Sequence, residues 1–218
     1  FFDQWFQEAR SKKTKWHGWE LCSGSGRFSL FCVLAGLTMG FPVDFRYGWD
    51  IGLPEHQRML DQAYEEFCPD FLMCSPRCKF WSVSASRRDR QELMRDRESE
   101  RPALVYMQRK MQQQNQRRKV YVLENPWSSA IWSDSVMAEN QNMPGYRKAK
   151  RTDQCAFGAC DEHRQPILKA TGIEANCKLR STLRRCNGHR GVPHVPLQGQ
   201  HQGVNRTAMA AVDRKSVV

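Results

Sequence analysis

A chain of 218 residues is long enough for one sizeable core, and 40% hydrophobic residues suit a globular domain. A formal charge of +11 points to a polyanionic partner, nucleic acid ahead of a membrane surface, with a solubilising basic tail as the plainer alternative. No run of ~20 apolar residues is present, so no spanning helix is expected. Nine cysteines set in apolar runs and loops fit a reducing, intracellular compartment better than a disulfide scaffold.

The chain opens on Phe1-Phe2 rather than Met and is expected to be a piece of something longer. Residues 1–18 read as an amphipathic lead-in whose Trp5, Phe6 and Trp16 dock on a core. Residues 19–24 form a short strand running into a Gly-rich turn. Residues 27–40, "RFSLFCVLAGLTMG", have the content of a buried helix stopped by Gly40. A second strand is expected over 42–47, and a turn or a short third strand over 48–51. Pro54 opens a helix pattern that runs to Phe67. "FLMC" (71–74) is the next strand. From Ser84 to Lys119 charge and Gln dominate, which predicts a mobile basic loop followed by a helix. "VYVLENP" (120–126) is a β-branched and aromatic strand, and 153–160 a further strand and turn. Beyond residue 186 Gly, Pro, His and Gln predict loops, with a short terminal helix at "RTAMAAV". Helix–strand alternation as far as Cys160 predicts an α/β sheet of parallel strands, with ligand chemistry at the strand C-termini. The parts are then a lead-in (1–18), a main domain (19–185) and a Cys/His/Gly/Pro-rich segment (186–218).

Between the first strand and helix, Glu20 precedes Gly24-Ser25-Gly26, a turn that lets backbone approach a ligand beside unpaired helix amides. Asp44, near the end of the next expected strand, can take a ribose hydroxyl pair; the plainer reading is a tight turn with a surface acid. "CSPRCKFWS" delivers Cys78 into a cationic, aromatic loop. Cations depress a thiol pKa, and Arg77 and Lys79 flank Cys78, whereas Cys74 inside the apolar run is expected to be inert core. In a parallel sheet, Glu124 of "LEN" ends on the same edge as Cys78. Arg87, Arg88 and Arg90 follow as candidate phosphate contacts, together with Arg77 and Lys79. Trp81 is either a stacking surface or a lid on the core. In the tail, Cys177, Cys186, His189 and His194 are four potential ligands, but their spacing fits no finger pattern and no metal is assigned.

"ELCSGSGRFS", "GWDI", "PDFLMCSPRCKFWS" and "LENP" fall in the order found in cytosine-5 DNA methyltransferases. The likeness is nearest to the methyltransferase-like segments of eukaryotic retroelement polyproteins, in which "DQCAFG", "KATG", "RRCNGH" and "HVPLQG" also have counterparts. The resemblance implies a Rossmann-like, S-adenosylmethionine-dependent fold without the family's large target-recognition domain. It implies Cys78 as the thiol that adds to cytosine and Glu124 as the acid that grips the ring. Glu20, Gly24, Gly26, Asp44 and Asp50 would line the cofactor site. DNA is the implied substrate, with a nuclear location for action on chromosomes and other polyprotein segments as possible partners. Two departures stand out: the family's Pro-Pro-Cys is Pro76-Arg77-Cys78, and Lys169 and Thr171 stand where arginines are expected. A catalytically inactive nucleic-acid-binding module is therefore the alternative.

Overall fold

The computed structural model describes residues 2–12, 14–161, 163–179, 181, 183–189, 191–195, 200–201 and 204–205. Helix α1 (Phe2–Ser11) leads to strand β1 (Gly18–Leu21) and helix α2 (Arg27–Leu34). Then come α3 (Pro54–Phe67), β2 (Phe71–Cys74), α4 (Arg90–Gln116) and β3 (Val120–Pro126). The short α5 (Ser135–Ala138), β4 (Arg147–Asp153) and β5 (Ala170–Ala175) complete the main body, and β6 (Gln200–His201) and β7 (Val204–Asn205) form a separate two-residue ladder.

Five strands make one mixed sheet in the order β1-β2-β3-β5-β4. β1, β2 and β3 are parallel, while β5 runs antiparallel to both of its neighbours. The expectation of an all-parallel sheet therefore holds only for the first three strands. A parallel return needs a helical crossover, and between β4 and β5 the described residues supply only the 3-10 turn Gln154–Phe157.

The expected strand over 42–47 is reduced to bridges. Met39 and Val43 pair in parallel with Gly18 and Leu21, on the side of β1 away from β2, and Phe45–Tyr47 then forms a 3-10 turn capped by Asp44. Progress along the sheet thus reverses at β1. The chain steps outward through α2, then back across through α3 and onward through α4. Right-handed crossovers taken in opposite directions put their helices on opposite faces. Accordingly Phe28 of α2 meets Phe71 edge-on on one face. On the other, Met107 of α4 accepts from the Cys22 thiol at 3.7 Å.

Leu60, Ala63 and Tyr64 of α3 and Leu104, Met107 and Met111 of α4 bury Trp19, Leu21, Leu72, Cys74, Tyr121 and Leu123 completely. Phe6 and Trp16 join this core through Phe67, as expected of the lead-in; the Trp5 side chain lies outside the described part. Trp81 is 3% exposed, which makes it core rather than a stacking platform.

Two helices depart from the sequence reading. α2 stops at Gly36 instead of Gly40: with Gly36 at φ 83°, its amide bonds the Val33 carbonyl and Leu37 bonds Cys32, a Schellman closure. The helix is also not buried, since Leu30, Phe31, Val33 and Leu34 face outward. The expected basic loop after Ser84 is instead a 3-10 turn (Val83–Arg87) and the first half of α4. Asp89 caps that helix by accepting from the amides of Gln91 and Glu92, and an acid three residues after the cap is the N-terminal signature the charge density conceals.

Candidate functional site

In open α/β sheets, ligands bind beyond the strand C-termini where the winding direction reverses. Here that place lies between β1 and β2, and the two loops leaving it carry the residues singled out in the sequence. After β1, Cys22, Gly24 and Gly26 all take positive φ (58°, 55° and 67°), so the loop doubles back before α2. A side chain built on Gly24 would meet nothing within 4 Å, so the outer side of the turn is open to a ligand. The Cys22 thiol is pushed up to about 12, chiefly by burial, and is no nucleophile.

Acids surround this turn, each with a structural attachment. Glu20 is buried and accepts from the Ser29 hydroxyl at 2.6 Å and the Ser29 amide at 3.1 Å, fastening the start of α2. Burial raises its pKa, with Asp44 and Glu124 adding repulsion. Asp44 accepts from the Gly24 amide at 2.8 Å and the Arg46 amide at 3.1 Å, which sets the Gly-rich loop. An ionised carboxylate has about four acceptor positions, so capacity remains for two hydroxyl donors. Asp50 accepts from Gly52 at 2.8 Å, while its own amide donates to His56 Nδ1 at 2.9 Å.

The second loop follows β2. Asn125, fully buried at the end of β3, donates to the Pro76 carbonyl at 2.7 Å and so holds the turn that presents Cys78. Sequence reading stopped at its neighbour Glu124, although "LEN" contained both. Cys78 is half-buried, and Glu124 and the Lys169 ammonium both act on its thiol. Acid and amine therefore both lie within electrostatic reach of the thiol. Burial dominates and raises the Cys78 pKa, with Glu124 adding to the rise and Lys169 opposing it. The cation that acts on the thiol is thus Lys169, on the loop before β5, and not the flanking residues expected to activate it. Arg77 turns away to pair with Glu100 at 3.3 Å and covers the Phe45 ring, and Lys79 lies over Phe80. Cys74 is sealed in the core with its pKa well above the ordinary thiol value, as expected.

The other basic candidates divide in the same way. Arg88 is held by Asp96 at 2.5 Å and rests on Phe80. Arg87 and Arg90 are exposed at the 3-10 turn and the first residue of α4, with no ion-pair partner among the described residues.

The Cys/His tail is brought to the same sheet edge. Cys155, Cys186, His189 and His194 place their donor atoms within 4.8 Å of one another. Cys177, one of the four ligands considered from spacing, is not in the group. It follows the far end of β5, where Arg147 biases its thiol, and Cys155 takes its place. Of the residues singled out in the sequence, Trp81 alone lines the separate cavity of about 200 Å³ that it forms with Met94, Arg97, Arg101 and Asp134.

The fold is a Rossmann-like α/β sheet flanked by helices, with the Gly-rich loop and the Cys78 loop leaving its topological switch point. No family model matches the chain and no curated protein matches it. Among solved structures it is similar to the crystal structure of S. pombe Dnmt2 methyltransferase, at 13% sequence identity and a TM-score of 0.42, covering 76% of this chain and 51% of that one. The chain thus spans about half the length of that structure. Among the described residues no helix is long and apolar enough to cross a membrane.

Proposed function

We propose that this chain is an S-adenosylmethionine-dependent methyltransferase of the DNA cytosine-5 type, carried by a mobile-element polyprotein and acting in the nucleus. The reading rests on the two loops that leave the switch point: one carries Cys78, on which Glu124 acts electrostatically, and the other turns at Gly24 with its outer side open. The order of motifs along the chain supports the assignment to cytosine chemistry.

The residues at the Gly-rich loop suit the cofactor. Gly24 and Gly26 admit close backbone approach, Asp44 keeps acceptor capacity for ribose hydroxyls, Asp50 stands at the next turn, and Glu20 fixes the helix start. Grouped carboxylates also suit a cationic sulfonium. When bound, S-adenosylmethionine supplies an electrophilic methyl group.

The chain's own residues act on the base. A cytosine must leave the duplex to reach a cleft at a strand edge. Cys78 Sγ, once deprotonated, adds to ring carbon 6, which makes carbon 5 nucleophilic. Lys169 favours that thiolate against its burial. Glu124, in its protonated form, donates to ring N3, where negative charge would otherwise build, and after methylation the carbon 5 proton passes to solvent water as the thiolate is expelled. Asn125 is a positioning residue that acts through the Pro76 carbonyl. Arg87, Arg90 and Lys79 are the phosphate contacts available beside the cleft, whereas Arg77 and Arg88 first have to leave carboxylate partners.

The Arg77 departure and the raised Cys78 pKa favour one second reading, a catalytically inactive nucleic-acid-binding module. DNA containing 5-fluorocytosine, incubated with labelled cofactor, separates the two. The wild type is expected to form a denaturant-resistant protein–DNA adduct that carries label, Cys78→Ser none, and Cys68→Ser as much as wild type. Equal DNA binding by wild type and Cys78→Ser with no adduct from either assigns the chain to the binding module.

A further inference from the structure

The geometry points to a structural zinc site formed by Cys155, Cys186, His189 and His194, a closed four-donor clamp that fastens the C-terminal segment to the sheet edge bearing the cleft. Zinc–sulfur bonds of about 2.3 Å and zinc–nitrogen bonds of about 2.0–2.1 Å set a tetrahedral S···N edge of roughly 3.6 Å. The three close S···N separations here are 3.4 Å for Cys155 to His194, 3.3 Å for Cys186 to His189 and 3.3 Å for Cys186 to His194. Both histidines present Nε2, and their rings meet at 78° with centroids 5.0 Å apart, as two ligands of one ion do. A Cys155–Cys186 disulfide would account for two of these groups and leave both imidazoles converging on nothing.

The surroundings support the same assignment. The Gly188 amide donates to Cys186 Sγ at 3.3 Å, a bond that a thiolate accepts well and that aims the ligand. Cys186 itself is placed by its amide, which donates to Asp153 at 3.0 Å, and Arg185 pairs with the same carboxylate at 3.4 Å. Cys155 is buried and sits on the turn directly after β4. The other three ligands come from a stretch in which no described residue between 176 and 195 is buried. A segment without a core of its own needs a staple, and metal is one of the few available. Four protein donors leave no open position, which makes the site structural and not catalytic. Binding releases the protons of the two thiols.

The clamp is tied to the loop before β5 from two sides. The Gln154 amide, next to Cys155, donates to the Lys169 carbonyl at 3.0 Å, and the Val195 amide, next to His194, donates to the Pro166 carbonyl at 2.9 Å, so the metal steadies the loop whose Lys169 acts on Cys78. The metal assignment itself holds whether or not Cys78 is a nucleophile.

The test uses the untagged full chain purified after expression with zinc and dialysed against metal-free buffer. Elemental analysis is expected to give near-stoichiometric zinc. Cobalt(II) added to the stripped wild type should give thiolate-to-cobalt charge transfer with intense tetrahedral visible bands, abolished by adding zinc. Cys155→Ser and His194→Ala should weaken zinc binding roughly tenfold or more, since even second-shell changes cost that much, and Cys177→Ser should not. The cobalt spectrum of the wild type needs no variant to fold. A wild type that holds no zinc and gives no such spectrum overturns the assignment, as does undiminished zinc binding by a folded Cys155→Ser protein. A Cys155–Cys186 disulfide found in the chain purified under reducing conditions overturns it too.

Discussion

The two faces of the central sheet differ more than their shared strands suggest. On the face under α3 and α4, Leu21, Leu72, Cys74, Tyr121 and Leu123 are completely buried. On the face under α2, the alternate residues Phe71, Met73, Val120, Val122 and Glu124 are only partly covered. A single eight-residue helix stands there against two long ones opposite, because winding reverses after one crossover on that side. The sealed face holds the apolar mass, while the other face carries Glu20, buried against Ser29, and the half-covered Glu124.

Truncation should expose this asymmetry most strongly. Leu72→Ala and Leu123→Ala are expected to destabilise by about 2–5 kcal/mol, the range for leucine removed from a closed core. Met73→Ala and Val122→Ala, neighbours on the same strands, should cost less than about 1.5 kcal/mol because their side chains already keep part of their solvent exposure. Urea unfolding with an unchanged m-value measures each difference. Equal losses on the two faces would mean that the α2 side is as closed as the other.

Adjacent positions on β3 and β5 give a second, smaller contrast between two glutamates. Glu124 lies opposite Ile173 on the open face, and Glu174 lies opposite Leu123 on the sealed one. Burial pushes the Glu174 carboxyl up to about 7, although Asn140 donates to it at 2.7 Å and Tyr146 at 3.3 Å. A folded-state pKa above the unfolded value means the native chain binds more protons between the two. This contribution is full below the ordinary value of 4.5 and is lost as pH rises through about 7. Glu174→Gln should therefore gain on wild type as pH rises across that window and hold its advantage above it, by on the order of 3 kcal/mol at most. Paired melting curves at steps across the window check the sign. A difference that does not vary with pH would show that Glu174 stays ionised in the folded chain.

What could be read from sequence follows the same division between local and distant causes. α3, β2 and β3 were legible to the residue because Pro54, "FLMC" and "VYVLENP" carry their own signals. β4 was misplaced toward Cys155 because "RKAKRTD" is a sheet edge, and edges carry charge where central strands carry Val and Ile. The placement of Cys78 and Glu124 at one sheet edge could be anticipated, since both lie at the C-terminal ends of parallel strands. Lys169 beside Cys78, and Cys155 beside the tail histidines, could not. Both depend on β5 returning antiparallel, which no residue pattern between 154 and 169 announces. The outward face of α2 misled for a different reason: apolar content says that a helix prefers burial, not whether the rest of the chain supplies a cover.

That face gives the smallest expected effect and the sharpest check on the comparison. Leu34, at 72% exposure, and Val33, at 53%, end α2 pointing into solvent. Leu34→Lys should leave the unfolding free energy of this chain within about 0.5 kcal/mol, as surface substitutions away from caps and cores do. Helix propensity changes little between leucine and lysine, and a cation in the last turn complements the helix dipole. A loss well beyond that bound would place part of the chain over α2 and erase the difference between the faces. An unchanged stability with improved solubility would instead leave the sheet sealed on one side, and open on the side where Glu124 stands.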